Sequence, residues 1–208
     1  MNDSSVDAKD LDRLTALSDG IFAIAMTLLV LDIHVTSGLD ADAFRHMLHD
    51  LLPKVGAYAL SFAILANLWR DHRRILQQAQ RTDAVTVRLA LAGLGVIALL
   101  PFPTTMLSEY ASQPLAVVVY AATIIVIDLL QLALLLAIHR RPNLARPDAP
   151  HVAGGIVADL GSTVLVFAIT IPIAFASPAA AMWCWLAQLP LRFALGRSGR
   201  GRRALDVG

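Results

Sequence analysis

The sequence predicts an all-α membrane protein with six transmembrane helices per subunit. Three observations carry that reading. The chain is 57% hydrophobic and only 16% charged, with a mean hydropathy of +0.63, whereas soluble domains carry about 25% charged residues. Six segments approach the roughly 20 mostly apolar residues that a spanning helix needs. Fifteen of the seventeen Lys and Arg lie at the ends of the chain or in alternate connections between those segments.

The first span is placed at 17–35. The residues before it are polar and mostly acidic. Neither a basic leader nor a small-x-small cleavage site accompanies this apolar run, so it is expected to be retained as a spanning helix. An Asp-rich connection, 36–50, follows and is expected to form at most a short surface helix. The second span is 51–69 and the third 86–107, where Pro101 and Pro103 predict a kink or an early end. The fourth is 115–138. The fifth, 153–175, contains Pro172, which also predicts a kink or an early end, and the sixth is 179–196. No period of 20–50 residues repeats, so residues 1–208 are expected to form one six-helix domain.

Orientation follows from the basic residues. Of the seventeen Lys and Arg, Arg45 and Lys54 alone fall between spans one and two, and none falls near 108–114 or 176–178. The others lie at the N-terminus, between spans two and three, between four and five, or at the C-terminus. The positive-inside rule then places both termini in the cytoplasm. The basic tail RSGRGRR fits an anionic leaflet better than nucleic acid.

Several patterns carry little chemistry. The single Cys184 excludes a disulfide framework and a Cys-based metal site. KVGAY (54–58) lacks the second glycine and the extended carbonyl loop of a TVGYG filter. Gly93 and Gly95 stand inside a span with no strand before them, which marks a packing notch and not a nucleotide loop. His46 and His49 fit a solvated face better than a metal site. No nucleophile–base arrangement, HExxH or P-loop is present, so an enzyme, a cofactor and a resident metal are not expected.

Polar residues inside the spans are more informative, because they are expensive there and usually face the bundle interior or water. Asp128, with Gln131 one turn away, and Asp159 read either as a proton or ion relay or as interhelical clamps. Ser18, Asp19 and Gly20 sit at the mouth of the first span. Asp19 is expected to clamp that helix to the second span, with Trp69 and His72 as donors at the right depth and Arg13 adding a charge-assisted bond. At 100° per residue, Leu17, Gly20, Ile24, Thr27, Leu28 and Leu31 cluster within about 40–60° of one line. That stripe is either ordinary bundle or lipid contact, or the lining of a pore whose apolar rings gate by dewetting.

Arg13-x-x-x-Leu17-Ser18-Asp19-Gly20 followed by AIAMTLLVL resembles the signature of the transmembrane protein 175 family, potassium channels of lysosomes and prokaryotes. SFAILANLWRDHRRI (61–75), LLPFPTTMLSEY (99–110) and LAVVVYAAT (115–123) extend the resemblance through the second, third and fourth helices. Leu17 stands where the family motif has Phe, a swap that keeps an apolar side chain. The resemblance implies a potassium-preferring cation channel with no cofactor, K+ as the permeant ion, and a pore lined by the first helix. Its constriction rings would be Ile24, Leu28 and Leu31, with Thr27 contributing to selectivity. Arg13, Ser18, Asp19, Gly20, Trp69 and His72 would form the network behind them. Animal members carry two six-helix copies, so this single copy implies a homotetramer in the plasma membrane of a prokaryote. The alternative is a proton- or cation-coupled transporter using Asp128 and Asp159.

Overall fold

A computed structural model of the chain describes residues 3–141, 143–146 and 150–188. All described regular structure is helical, apart from one isolated β-bridge. α1 spans Asp3–Leu28 and winds directly into a 3-10 turn, Leu29–Asp32. α2 spans Ala41–Leu76, α3 Ala84–Leu99, α4 Pro101–Glu109, α5 Pro114–His139 and α6 Pro150–Ala176. A seventh helical segment, α7, covers 178–188. Among the described residues, five stretches are long and apolar enough to cross a membrane, with α3 and α4 counted as one. The sixth expected span is described only through 188; residues 189–196 lie outside the described residues.

Local chemistry explains most boundaries. Gly38, at φ 77°, makes the turn before α2, a left-handed conformation that costs glycine little. The Asp40 side chain then accepts from the Ala43 amide at 2.8 Å, satisfying one of the orphan donors at a helix start. Asp83 does the same for Thr86 at the start of α3. Prolines occupy the first position of α4 and α5, where the missing N–H is no loss.

Three boundaries differ from the sequence reading. The 36–50 segment does not form a separate surface helix, because residues from Ala41 join the second span in one 36-residue helix running through Pro53. The turns before Pro53 are largely exposed, so the helix has already left the core where its hydrogen-bond ladder is weakest. Pro172 likewise neither ends nor interrupts α6, which continues to Ala176, and the Ser177 amide reaches the Ile173 carbonyl at 2.8 Å. The first span ends before 35, since the helical run stops at Asp32 and residues 33–35 are not helical. The Pro101–Pro103 expectation is met by the break between α3 and α4 at Leu100.

The helices enclose two apolar clusters. One gathers Phe22, Ala25 and Leu29 of the first helix and its turn with Leu60, Ile64 and Leu65 of α2, Leu107 of α4, Tyr120 and Ile124 of α5, Phe167 of α6 and Trp185 of α7. The other gathers Leu14, Ile75, Leu76, Leu135, Ile138 and Ile156 at the opposite end. Gly93 of α3 is buried against α5, where a Cβ would lie 3.8 Å from Leu130 Cβ. Gly95 meets no neighbour.

Lipid tails are as apolar as leucine, so packing and interhelical hydrogen bonds must hold such a bundle together. Tyr120 and Ser61 hydroxyls lie 3.0 Å apart, and Thr104 donates to Ser61 at 3.0 Å. Trp185 stacks between Tyr120 and Phe167, with centroids at 5.3 and 4.9 Å. Its indole donates to Thr170 at 2.8 Å. This ladder ties α2, α4, α5, α6 and α7 across the core.

Candidate functional site

α1 has two faces. Leu14, Ser18, Phe22, Ala25 and Leu29 are buried, and their spacing of three and four residues makes one continuous packed stripe. On the opposite side Leu17, Ile24, Leu28 and Leu31 are 48%, 60%, 41% and 64% exposed. Gly20 and Thr27 are exposed on the same side. The sequence stripe is therefore a surface of the single chain, available to lipid or to another subunit. Thr27 Oγ1 donates to the Ile24 carbonyl at 2.8 Å, which leaves its oxygen lone pairs outward.

The polar entrance of α1 points the other way, into α2. Trp69 Nε1–H donates to Asp19 Oδ1 at 2.7 Å. One helical turn along, His72 Nε2 lies 3.2 Å from Ser18 Oγ. The Ser18 hydroxyl already donates to the Leu14 carbonyl at 2.7 Å. With its single proton committed there, Ser18 accepts from His72, which fixes the Nε2–H tautomer. The His72 ring also tilts against Phe22 at 5.7 Å. Trp69 and His72 are three apart on α2, so both face the adjacent pair Ser18–Asp19.

Two residues of the expected network stand elsewhere. Arg13 does not reach Asp19: its ion pair is with Asp10 at 3.7 Å, and its side chain is 82% exposed. Six residues separate Arg13 from Asp19, which puts them about 120° apart around the helix. The cation beside the network is instead Arg73, whose guanidinium lies 5.5 Å from the Trp69 ring centre in cation–π geometry. Gly20 does not receive a neighbouring element of its own chain, since a Cβ there would meet nothing within 4 Å.

The other intramembrane acids separate. Asp159 Oδ2 accepts from Arg74 at 2.7 Å, and Arg74 also reaches Asp71 at 3.1 Å. This cluster pins α6 to the end of α2. Asp128 is buried in α5 at 1% exposure, next to Gln131, whose amide donates to the Leu68 carbonyl of α2 at 3.4 Å. At that same end, the α2–α3 and α5–α6 loops are zipped together. Gln80 donates to the Leu144 carbonyl and Arg146 to that of Gln78, both at 2.8 Å, and Arg141 pairs with Asp83. At the other end, Lys54 pairs with Glu109 and Ser108 donates to Asp32 at 2.6 Å. Sequence patterning offered no signal for the Asp32–Ser108 tie beyond an acid at the end of an apolar run.

The KVGAY segment is α-helical inside α2, and His46 and His49 are exposed. Among the described residues no group of three His, Cys, Asp or Glu side chains is placed to hold a metal ion.

The family model described as endosomal/lysosomal potassium channel TMEM175 matches residues 13–101, a stretch containing the whole outward stripe and the network behind it. A potassium channel of Streptomyces collinus is 36% identical over 172 residues, covering 79% of this chain and 82% of that protein. The chain belongs to the TMEM175 family. A potassium channel of Chamaesiphon minutus is 38% identical over 106 residues, covering 50% of this chain and 52% of that protein. The crystal structure of a lysosomal potassium-selective channel TMEM175 homologue from Chamaesiphon minutus superposes with a TM-score of 0.78 at 27% identity, covering 90% of this chain and 97% of that one. The TMEM175 fold thus accounts for nearly the whole chain. This is a multi-span protein of a channel family whose members here include prokaryotic potassium channels.

Proposed function

We propose that the chain is the subunit of a homotetrameric, potassium-preferring channel of a prokaryotic plasma membrane, with both termini cytoplasmic. In this reading residues 1–208 form one channel unit and the pore is lined by α1 of each subunit. The observation that carries it is the division of α1 into a packed face and an exposed apolar stripe. A pore helix needs rigid backing, and Trp69 and His72 supply it on the far side.

Cyclic assembly turns each exposed residue into a ring. Ile24, Leu28 and Leu31 become apolar constrictions, and Thr27 places an oxygen between them. An ion passing such a ring must shed or compress its hydration shell. K+ holds water less tightly than Na+, so the ring favours K+. Exposed Gly20 allows close approach between subunits at the wider mouth.

The transporter reading finds less support. Asp159 is engaged by Arg74, and moving that carboxylate through a transport cycle requires breaking a partly buried ion pair. The test is flux from potassium-loaded liposomes under K+ and then Na+ gradients. Non-saturating flux that favours K+ supports the channel. Flux that requires a proton gradient and disappears in Asp128→Asn or Asp159→Asn contradicts it.

A further inference from the structure

The end of the first helix changes its winding where the stripe ends. Leu28 has φ −66° and ψ −27°, within the 3-10 range. Leu29–Asp32 continues as a 3-10 turn, closed by the Ile33 amide donating to the Val30 carbonyl at 3.0 Å. With about 3.0 residues per turn, residues i and i+3 eclipse, whereas in an α-helix they are offset by roughly 60°. Overwinding therefore carries Leu31 around onto the line of Leu28.

Such short 3-10 ends need an anchor, because their hydrogen bonds are poorer. Two contacts provide it. Leu29 is buried in the core at 2% exposure. Asp32 Oδ2 accepts from Ser108 Oγ of α4 at 2.6 Å, with Ser108 Oγ also 2.9 Å from the Thr105 carbonyl. The turn is thus held at its first and last residues, and Val30 and Leu31 between them point outward, 47% and 64% exposed. The Lys54–Glu109 pair holds α2 to the residue after Ser108, so the anchor is itself braced.

We propose that Asp32 and Ser108 are positioning residues for the outermost constriction: their bond holds the 3-10 turn that aligns Leu31 with Leu28. This rests on the pore reading of α1. Neither residue need touch the permeating ion. Releasing the bond lets the turn relax toward α-helical winding and swings Leu31 as much as about 60° away from the line of Leu28.

The experiment compares Ser108→Ala and Ser108→Thr with the parent in liposomes. It reads the K+/Na+ permeability ratio and the rate at which a methanethiosulfonate reagent modifies Leu31→Cys in a Cys184→Ser background. Ser108→Ala is expected to change both by roughly threefold or more, the population shift that loss of one hydrogen bond produces. Ser108→Thr keeps the hydroxyl and restores both. Asp32→Asn removes the charge and keeps an acceptor oxygen, so its Leu31→Cys rate stays near the parental value. If Ser108→Ala does not assemble, Asp32→Ala breaks the same bond from the other side and is read identically. Unchanged ratio and unchanged modification rate overturn the inference. A selectivity change in Asp32→Asn that Ser108→Ala lacks also overturns it, because the carboxylate then acts as a bare charge. Leu28→Ala serves as the control. If it shifts the reversal potential and Ser108→Ala does not, this inference alone falls. If neither does, the pore reading falls and takes this inference with it.

Discussion

The Trp69 indole on α2 donates to the Asp19 carboxylate on α1 at 2.7 Å, fifty residues away in sequence. The bond sits beside the His72–Ser18 contact at 3.2 Å. Together they fix the rotation of α1 about its own axis, and so decide which residues form its outward stripe. Apolar contact alone does this poorly in a bilayer, where one leucine-lined face resembles another. A directional bond distinguishes them.

Removing that donor should loosen the assembly. Trp69→Phe keeps the ring volume and leaves Asp19 without its indole partner. An interhelical hydrogen bond in a membrane contributes on the order of 0.6–1.7 kcal/mol, and one to a carboxylate lies toward the upper end. We expect a lower melting temperature in detergent and less assembled protein, with Asp19→Ala behaving similarly. Additive effects in the Trp69→Phe/Asp19→Ala double variant would show that the bond carries no coupling.

Arg13 provides a contrast. Its side chain is exposed and paired with Asp10, and surface pairs of that kind contribute about 0–1 kcal/mol. Arg13→Gln should leave the melting temperature of the isolated subunit nearly unchanged. A loss comparable to that of Trp69→Phe would mean that Arg13 finds a partner across a subunit boundary.

The Arg74–Asp159 pair should be structural. Arg74→Gln leaves Asp71 and Asp159 as neighbouring acids with their shared cation gone. Breaking a buried pair from one side costs about 3–5 kcal/mol, and less here because the side chains are partly exposed. Asp159→Asn should be milder and should keep its potassium flux. Retained folding with abolished flux in Asp159→Asn would favour ion coupling over clamping.

The oligomer has a direct reading. Native mass spectrometry of protein released from detergent should give four times the 22.3 kDa subunit mass. A monomer or dimer as the sole conducting species would leave the α1 stripe unable to close a four-fold ring.

Much of this arrangement was legible in the residues, and the omissions have identifiable causes. Hydropathy located the cores of the spans because lipid imposes length and composition on each helix separately. Helical phase separated Leu17, Ile24, Leu28 and Leu31 from Ser18 and Asp19, because the 100° step is a property of each helix by itself. The same phase argument, applied to Arg13, would have placed it about 120° from Asp19. Ends and partners depend instead on distant residues. The 3-10 turn at Leu29–Asp32 is tied by Ser108, 76 positions on. Asp159 is claimed by Arg74, 85 positions away. Trp185 reads as one more apolar residue until Thr170 and Tyr120 are brought beside it. Periodicity describes one helix at a time, so it is blind to what a neighbouring helix contributes.

The most direct test of the central claim is the reversal potential of Leu28→Ala against the parent, with K+ on one side of the bilayer and Na+ on the other. Truncating the ring removes apolar atoms from the constriction and lets a hydrated ion through. The account predicts a reversal potential closer to zero in Leu28→Ala, with the same direction of change in Ile24→Ala. Parental reversal potentials in both variants, with assembly intact, would contradict a pore lined by the outward stripe of α1.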